Sequence, residues 1–255
     1  MATLKQSPEN PQRTAMAGRF GRYAPEKDSE VRETKARSNP EMEKMLELFA
    51  SIPYQEKTLN NCGPVSLKED RNYMNLIKIL GQARFDSAFI SEFCIAVTPF
   101  QQIDYFAPRL GIFLSALTTL CDGDNVDIVT SHLPHPPEFL CFRNHRHHVI
   151  IHGHAGAFLG AELSGGSLTV EGDASWIIGD RMIGGKIEAQ NVTPLIHSFP
   201  NPVEIEVFID LHIGRHMKGG EMRFGSVSPG LETGIEHGTI EHGKIYVDGK
   251  LEVDK

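Results

Sequence analysis

Six histidines crowd one stretch, HPPEFLCFRNHRHHVIIHGHAG: His135, His145, His147, His148, His152 and His154. Neutral imidazoles on one strand face can share a divalent metal. Side chains alternate along a strand, so His148, Ile150 and His152 would face the same way, with the two imidazoles about 7 Å apart. They need a third ligand to bridge them. His154 could supply it, as could Glu171 or Asp173 on a neighbouring strand, and the candidate metal set is His148, His152 and His154. The competing reading is a polar, solvent-facing row with no bound cofactor. It is preferred here, because no acidic residue within the cluster sits at the usual ligand spacing.

Three other stretches could do chemistry. GDRMIGGKI (Gly179–Ile187) nearly spells a phosphate-binding loop, but the lysine comes one place late and Ile187 stands where a hydroxyl should hold magnesium. NNCGPV (Asn60–Val65) sets Cys62 before a Gly-Pro turn. That cysteine would be a nucleophile only with a histidine beside it in space, so a structural thiol is the expectation. CDGDN (Cys121–Asn125) offers two aspartates but lacks the acidic positions of a calcium loop, and reads as a turn.

The bulk of the chain narrows the classes. Its 255 residues suit one large domain or two small ones. A formal charge of -8 argues against a general nucleic-acid binder, which needs a basic surface. No apolar run reaches the roughly 18 residues of a membrane span. The N-terminus lacks the apolar core of a signal peptide. The 4 cysteines are scattered, with no CxxC pair, so reduced thiols in a cytoplasmic protein are expected.

Three segments differ in pattern. Residues 1–38 are polar and poor in large apolar groups, which predicts a flexible tail. Residues 39–122 read as mostly helical. Met42, Met45, Leu46 and Phe49 fall at helical spacing behind Asn39 and Pro40. Ser66 and Glu69 form a capping box ahead of the stripe Tyr73, Leu76, Ile77 and Leu80, which Gly81 ends. SAFISEFCIAV and RLGIFLSALTTL are helical by length but ambiguous by period. From 123 to 255 short alternating runs replace the helical stripe, separated by glycine turns.

Those runs repeat. A shift of nineteen lays His148–Gly153 on Ser167–Gly172 and then on Lys186–Asn191. Val149, Leu168 and Ile187 form one apolar column; Ile151, Val170 and Ala189 form another. The alternate positions His148, Ser167, Lys186 and His152, Glu171, Gln190 are polar, and the column Ile150, Thr169, Glu188 turns polar as it proceeds, as the outward face of stacked parallel strands. Gly153, Gly172 and Asn191 share a column that points to a left-handed corner, and Gly172 is expected there with positive φ. The same shift aligns Gly160 with Gly179 and Gly165–Gly166 with Gly184–Gly185, and a looser copy places Gly219–Gly220. The glycines therefore turn corners, which leaves no need for a phosphate. An insertion around Pro194–Pro202 separates the looser copy.

The stretch HGHAGAFLGAELSGGSLTVEGDASWIIGDRMIGGKIEAQN (His152–Asn191) resembles the GXGXG β-helix family, with weaker echoes at Ile213–Gly225 and Gly243–Leu251. This is the C-terminal domain of the glutamate synthase large subunit and the C subunit of formylmethanofuran dehydrogenase. The likeness covers about half the chain. It implies a right-handed, single-stranded parallel β-helix; together with the helical region before it and the nineteen-residue repeat, the expected fold is α+β, with a β-solenoid of about 19-residue rungs. It also implies a non-catalytic scaffold or binding module, such as an accessory subunit packing on a redox enzyme. No catalytic residue carries over. The expected partner is a protein or a second copy, with no nucleic acid and no membrane. The alternative is a small metal-dependent enzyme that uses the histidine cluster where helices meet strands.

Overall fold

The computed structural model describes residues 39–53, 67–193, 212–228, 235 and 239–255. The segment 1–38, Cys62, Ser66 and the Pro194–Pro202 insertion lie outside them, and of Glu69 the backbone alone is described. The chain divides into two compact units, residues 1–43 and 44–255. Of the first, residues 39–43 are described and begin helix α1 (Pro40–Ser51), where Asn39 Oδ1 accepts from the Glu41 amide. No helix among the described residues is long and apolar enough to cross a membrane.

Three more helices follow: α2 (Leu67–Leu80), α3 (Ser87–Ala96) and α4 (Phe106–Thr119), with a short 3-10 turn at Thr98–Phe100. On α2 the residues Tyr73, Leu76 and Leu80 are buried, one stripe at helical spacing. Gly81 leaves the helix with φ 61°, a conformation glycine takes without the Cβ penalty. Asp86 caps α3, its carboxylate accepting from the Phe89 amide at 2.7 Å. The middle of α4, Leu110 to Thr118, is wholly buried.

Among the described residues seven strands form one sheet in chain order: β1 (Asn125–Val129), β2 (His148–His152), β3 (Ser167–Ala174), β4 (Lys186–Val192), β5 (Glu221–Val227), β6 (Lys244–Val247) and β7 (Lys250–Asp254). All neighbours are parallel except β6 and β7, which are antiparallel. The alternation seen in the sequence sets the faces. Val149, Leu168, Ile187, Met222 and Ile245 share one inward row, and Ile151, Val170, Ala189 and Phe224 share the next. Burying such rows against the connecting segments is what drives the sheet to form.

The architecture corrects the expected α+β protein with a right-handed β-solenoid. It is a single, mostly parallel open sheet with four helices among the described residues, an α/β arrangement. A pairing offset of nineteen holds for β2–β3 (His148 with Ser167) and for β3–β4 (Ser167 with Lys186). The offset is twenty-three for β1–β2, thirty-five for β4–β5 and twenty-three for β5–β6, and the last pair reverses direction. An apolar column in a sequence reports which strands lie side by side. It does not report how the connections close, and the period of nineteen spans two steps only.

The glycines divide into two groups. Gly153, Gly160, Gly166, Gly179, Gly185 and Gly220 have positive φ. Gly165, Gly172, Gly184 and Gly219 do not; each instead lies under a neighbouring carbonyl, at a distance a Cβ would overlap. The left-handed corner expected at Gly172 is thus corrected. Gly172 sits inside β3, and a Cβ there would meet the Gly153 oxygen at 2.6 Å.

Candidate functional site

The outward face of β1, β2 and β3 carries the densest group of titratable side chains near the sequence candidates. β2 ends at His152. Glu171 of β3 lies beside it in the parallel register, and its Oε2 is 2.9 Å from His152 Nδ1. Asp127 of β1 reaches the other side diagonally, with Oδ1 2.9 Å from His152 Nε2. The imidazole is therefore held between two carboxylates from two different strands. These partners push its pKa above the ordinary histidine value, Glu171 contributing most and Asp127 next, against a smaller opposing effect of burial.

Asp127 is itself fixed. Its backbone amide donates to Ser87 Oγ at 2.9 Å, its carbonyl accepts from Ser91 Oγ at 2.8 Å, and Ser87 Oγ also reaches Oδ2 at 3.3 Å. Both serines lie one turn apart on α3, which packs along β1. The sequence reading missed Asp127, Ser87 and Ser91. The alternation in NVDIV does mark Asp127 as outward-facing, but its approach to His152 depends on the twenty-three-residue offset of β1 from β2.

The other metal candidates have separate partners. His148 Nδ1 pairs with Ser167 Oγ at 2.9 Å. His154 Nδ1 accepts from the Asp173 backbone amide at 3.0 Å. Asp173 in turn accepts from Asn191, which accepts from Ser226, so this row continues across β3, β4 and β5. Among the described residues no group of three or more His, Cys, Asp or Glu is placed to hold one metal ion. The structure spreads His148, His152 and His154 along three rows of the face and does not gather them at one point.

Of the remaining histidines in the cluster, His135 and His145 are exposed and His147 is structural in its contacts. His147 is fully buried, its ring nitrogens facing Asn144 Oδ1 at 3.2 Å and the Cys121 carbonyl at 3.3 Å. Burial pushes its pKa below the usual histidine range. The described thiols are also withdrawn from chemistry. Burial raises Cys94 and Cys141 to about 12, and Cys121 upward as well, so none is a thiolate nucleophile near neutral pH.

Lys186, the lysine of the phosphate-loop lookalike, lies on β4 with its ammonium 2.6 Å from Glu188 and 4.0 Å from Glu221. Asp180, earlier in the same stretch, is buried against Arg215 at 2.9 Å. The concavity between the end of α1, α2 and α4 encloses about 70 Å³, lined by Ile52, Leu76, Ile79, Phe113 and Asn72 among others. That is well below the roughly 300 Å³ of a small-molecule site. No protein-family model matches the chain, and no curated protein or solved structure matches it either.

Proposed function

We propose that this chain is a non-catalytic binding or scaffold module that offers the outward face of its sheet to a protein partner or a second copy. One observation carries the reading: the polar groups of that face are ordered in rows that run across strands. Asp127, His152 and Glu171 link β1, β2 and β3. Lys186, Glu188, Glu221 and Arg223 link β4 and β5, and the Arg223 guanidinium lies 4.1 Å over the Tyr246 ring of β6. Catalysis needs groups converging on one reacting atom. Rows of paired charges on the same face as the exposed Ile150 instead make a preorganised surface of the kind proteins use to recognise one another.

The test is a face variant, Ile150→Arg with Arg223→Glu. Light scattering after size exclusion reads self-association, and quantitative affinity capture against the unmodified protein reads a partner. Loss of the associated mass at an unchanged melting temperature is the expected result. Association that survives both substitutions overturns the assignment of this face. Metal chemistry at His148, His152 and His154 would require His152 to exchange a carboxylate for the metal. Stoichiometric metal in purified protein, lost in His152→Ala, would establish that alternative.

A further inference from the structure

We propose that His152 is a proton-held clasp: its doubly protonated ring ties β1 and β3 together across β2, and loss of one proton releases Glu171 while Asp127 stays bound. The inference is independent of what the sheet face binds.

The geometry demands the extra proton. Each ring nitrogen of His152 faces a carboxylate oxygen at 2.9 Å. A neutral imidazole carries one N–H and one lone pair, so it satisfies one of these oxygens and turns a lone pair on the other. The imidazolium satisfies both, and each bond is charge-assisted. The raised pKa described above follows from the same two contacts.

The groups around the ring are few. From β1 comes Asp127 and from β3 comes Glu171; Asp173, two residues further along β3, engages His154 instead. On β2 itself, His148 pairs with Ser167. Helix α3 reaches the group through Ser87 and Ser91, which do not titrate in this range. Its acidic residues are turned to other uses, with Asp86 capping the helix and Glu92 exposed. No lysine or arginine contributes to the shift at His152.

Which carboxylate is released follows from how each is held. The backbone of Asp127 is bonded to α3 on both its N–H and its C=O, and its second carboxylate oxygen has Ser87. Glu171 is the more exposed partner, 57% against 46%, and among the described residues its side chain bonds His152 alone. A deprotonated ring therefore keeps its remaining proton on Nε2, toward Asp127, and Nδ1 loses Glu171. The proton leaves to solvent, and the β2–β3 side of the row loosens while the α3–β1–β2 side holds.

Nitrogen NMR of histidine-labelled full-length protein tests this. His152 should show both nitrogens protonated at pH 6, titrate with a midpoint above the ordinary value of about 6.5, and emerge above it as the Nε2–H tautomer. Glu171→Gln and Asp127→Asn should each move the midpoint down toward that value, and the exposed position of Glu171 makes loss of folding in the first variant a minor concern. A wild-type midpoint at or below 6.5, a midpoint unmoved by both variants, or an Nδ1–H tautomer at high pH overturns the clasp.

Discussion

In the helical part, large rings meet one another. Phe49 lies edge-on to Phe93, Phe100, Phe106 and Phe113, with centroids 5.4 to 6.2 Å away, and Phe93 stacks on Phe113 at 5.1 Å. Across β2, β3 and β4 the inward rows hold medium-sized aliphatic groups, Val149, Leu168, Ile187 and their neighbours, repeated strand after strand. The helices concentrate stability in a few large side chains, whereas the sheet distributes it over many small contacts. What the sheet cannot spread out is backbone proximity. Its sensitivity is placed in glycines, where a neighbouring carbonyl leaves no room for a Cβ.

Removing a ring should therefore have the largest effect. Phe113→Ala deletes a fully buried group that two other rings contact, and should lower unfolding free energy by about 4 kcal/mol, read by denaturant titration. A loss near 1 kcal/mol would mean that the aromatic group is not the anchor of the helices.

Gly111→Ala is next. In an ordinary exposed helix this change stabilises by about 0.5 to 1 kcal/mol. Here the added Cβ would sit 1.5 Å from the Glu138 carbonyl oxygen, so α4 must shift off the segment before β2. The sign should reverse to a loss of about 3 kcal/mol. A stabilised variant would show that α4 does not make this close approach in solution.

In the connection between β2 and β3, Gly153→Ala and Gly160→Ala sharpen the contrast. At Gly153, φ is 132° and the Cβ would meet backbone, the Ser131 nitrogen at 2.4 Å; about 2 kcal/mol should be lost. At Gly160, φ is 62° and the contacts are the movable ends of Ile187 and Leu168, so about 1 kcal/mol is expected. Equal losses would argue that backbone conformation alone, and not neighbouring main chain, sets the cost.

The smallest effect is the pH dependence of His152. Its folded pKa is raised, so its stabilising contribution is fully present below the unfolded value near 6.5 and disappears as pH rises through the folded value. More than a third of the side chain is exposed, so the difference between wild type and His152→Gln should stay under about 1 kcal/mol. Thermal melts at several pH values should show that difference shrinking on the alkaline side. A difference that grows there would mean that the neutral ring is the bound form.

Much was legible in the sequence. The stripe Tyr73, Leu76 and Leu80 is buried on α2, and Gly81 ends that helix. The columns His148, Ser167, Lys186 and Val149, Leu168, Ile187 pair in the expected register, because alternation of apolar and polar residues fixes which face a strand buries. Glu171 was named beside His152 for the same reason. Asp127 was not, since its offset from β2 differs from nineteen and no column of the repeat contains it.

What the sequence determined by itself is local: where helices start and stop, which strand positions face inward, and which strands two adjacent copies bring together. These follow from side-chain periodicity and backbone preference within a few residues. Tertiary structure alone decided the rest. It set one open sheet in place of the expected solenoid, laid α4 against the Glu138 carbonyl through Gly111, and closed two carboxylates on His152. Each of these depends on contacts between segments separated by irregular connections, whose length and path no periodic pattern encodes.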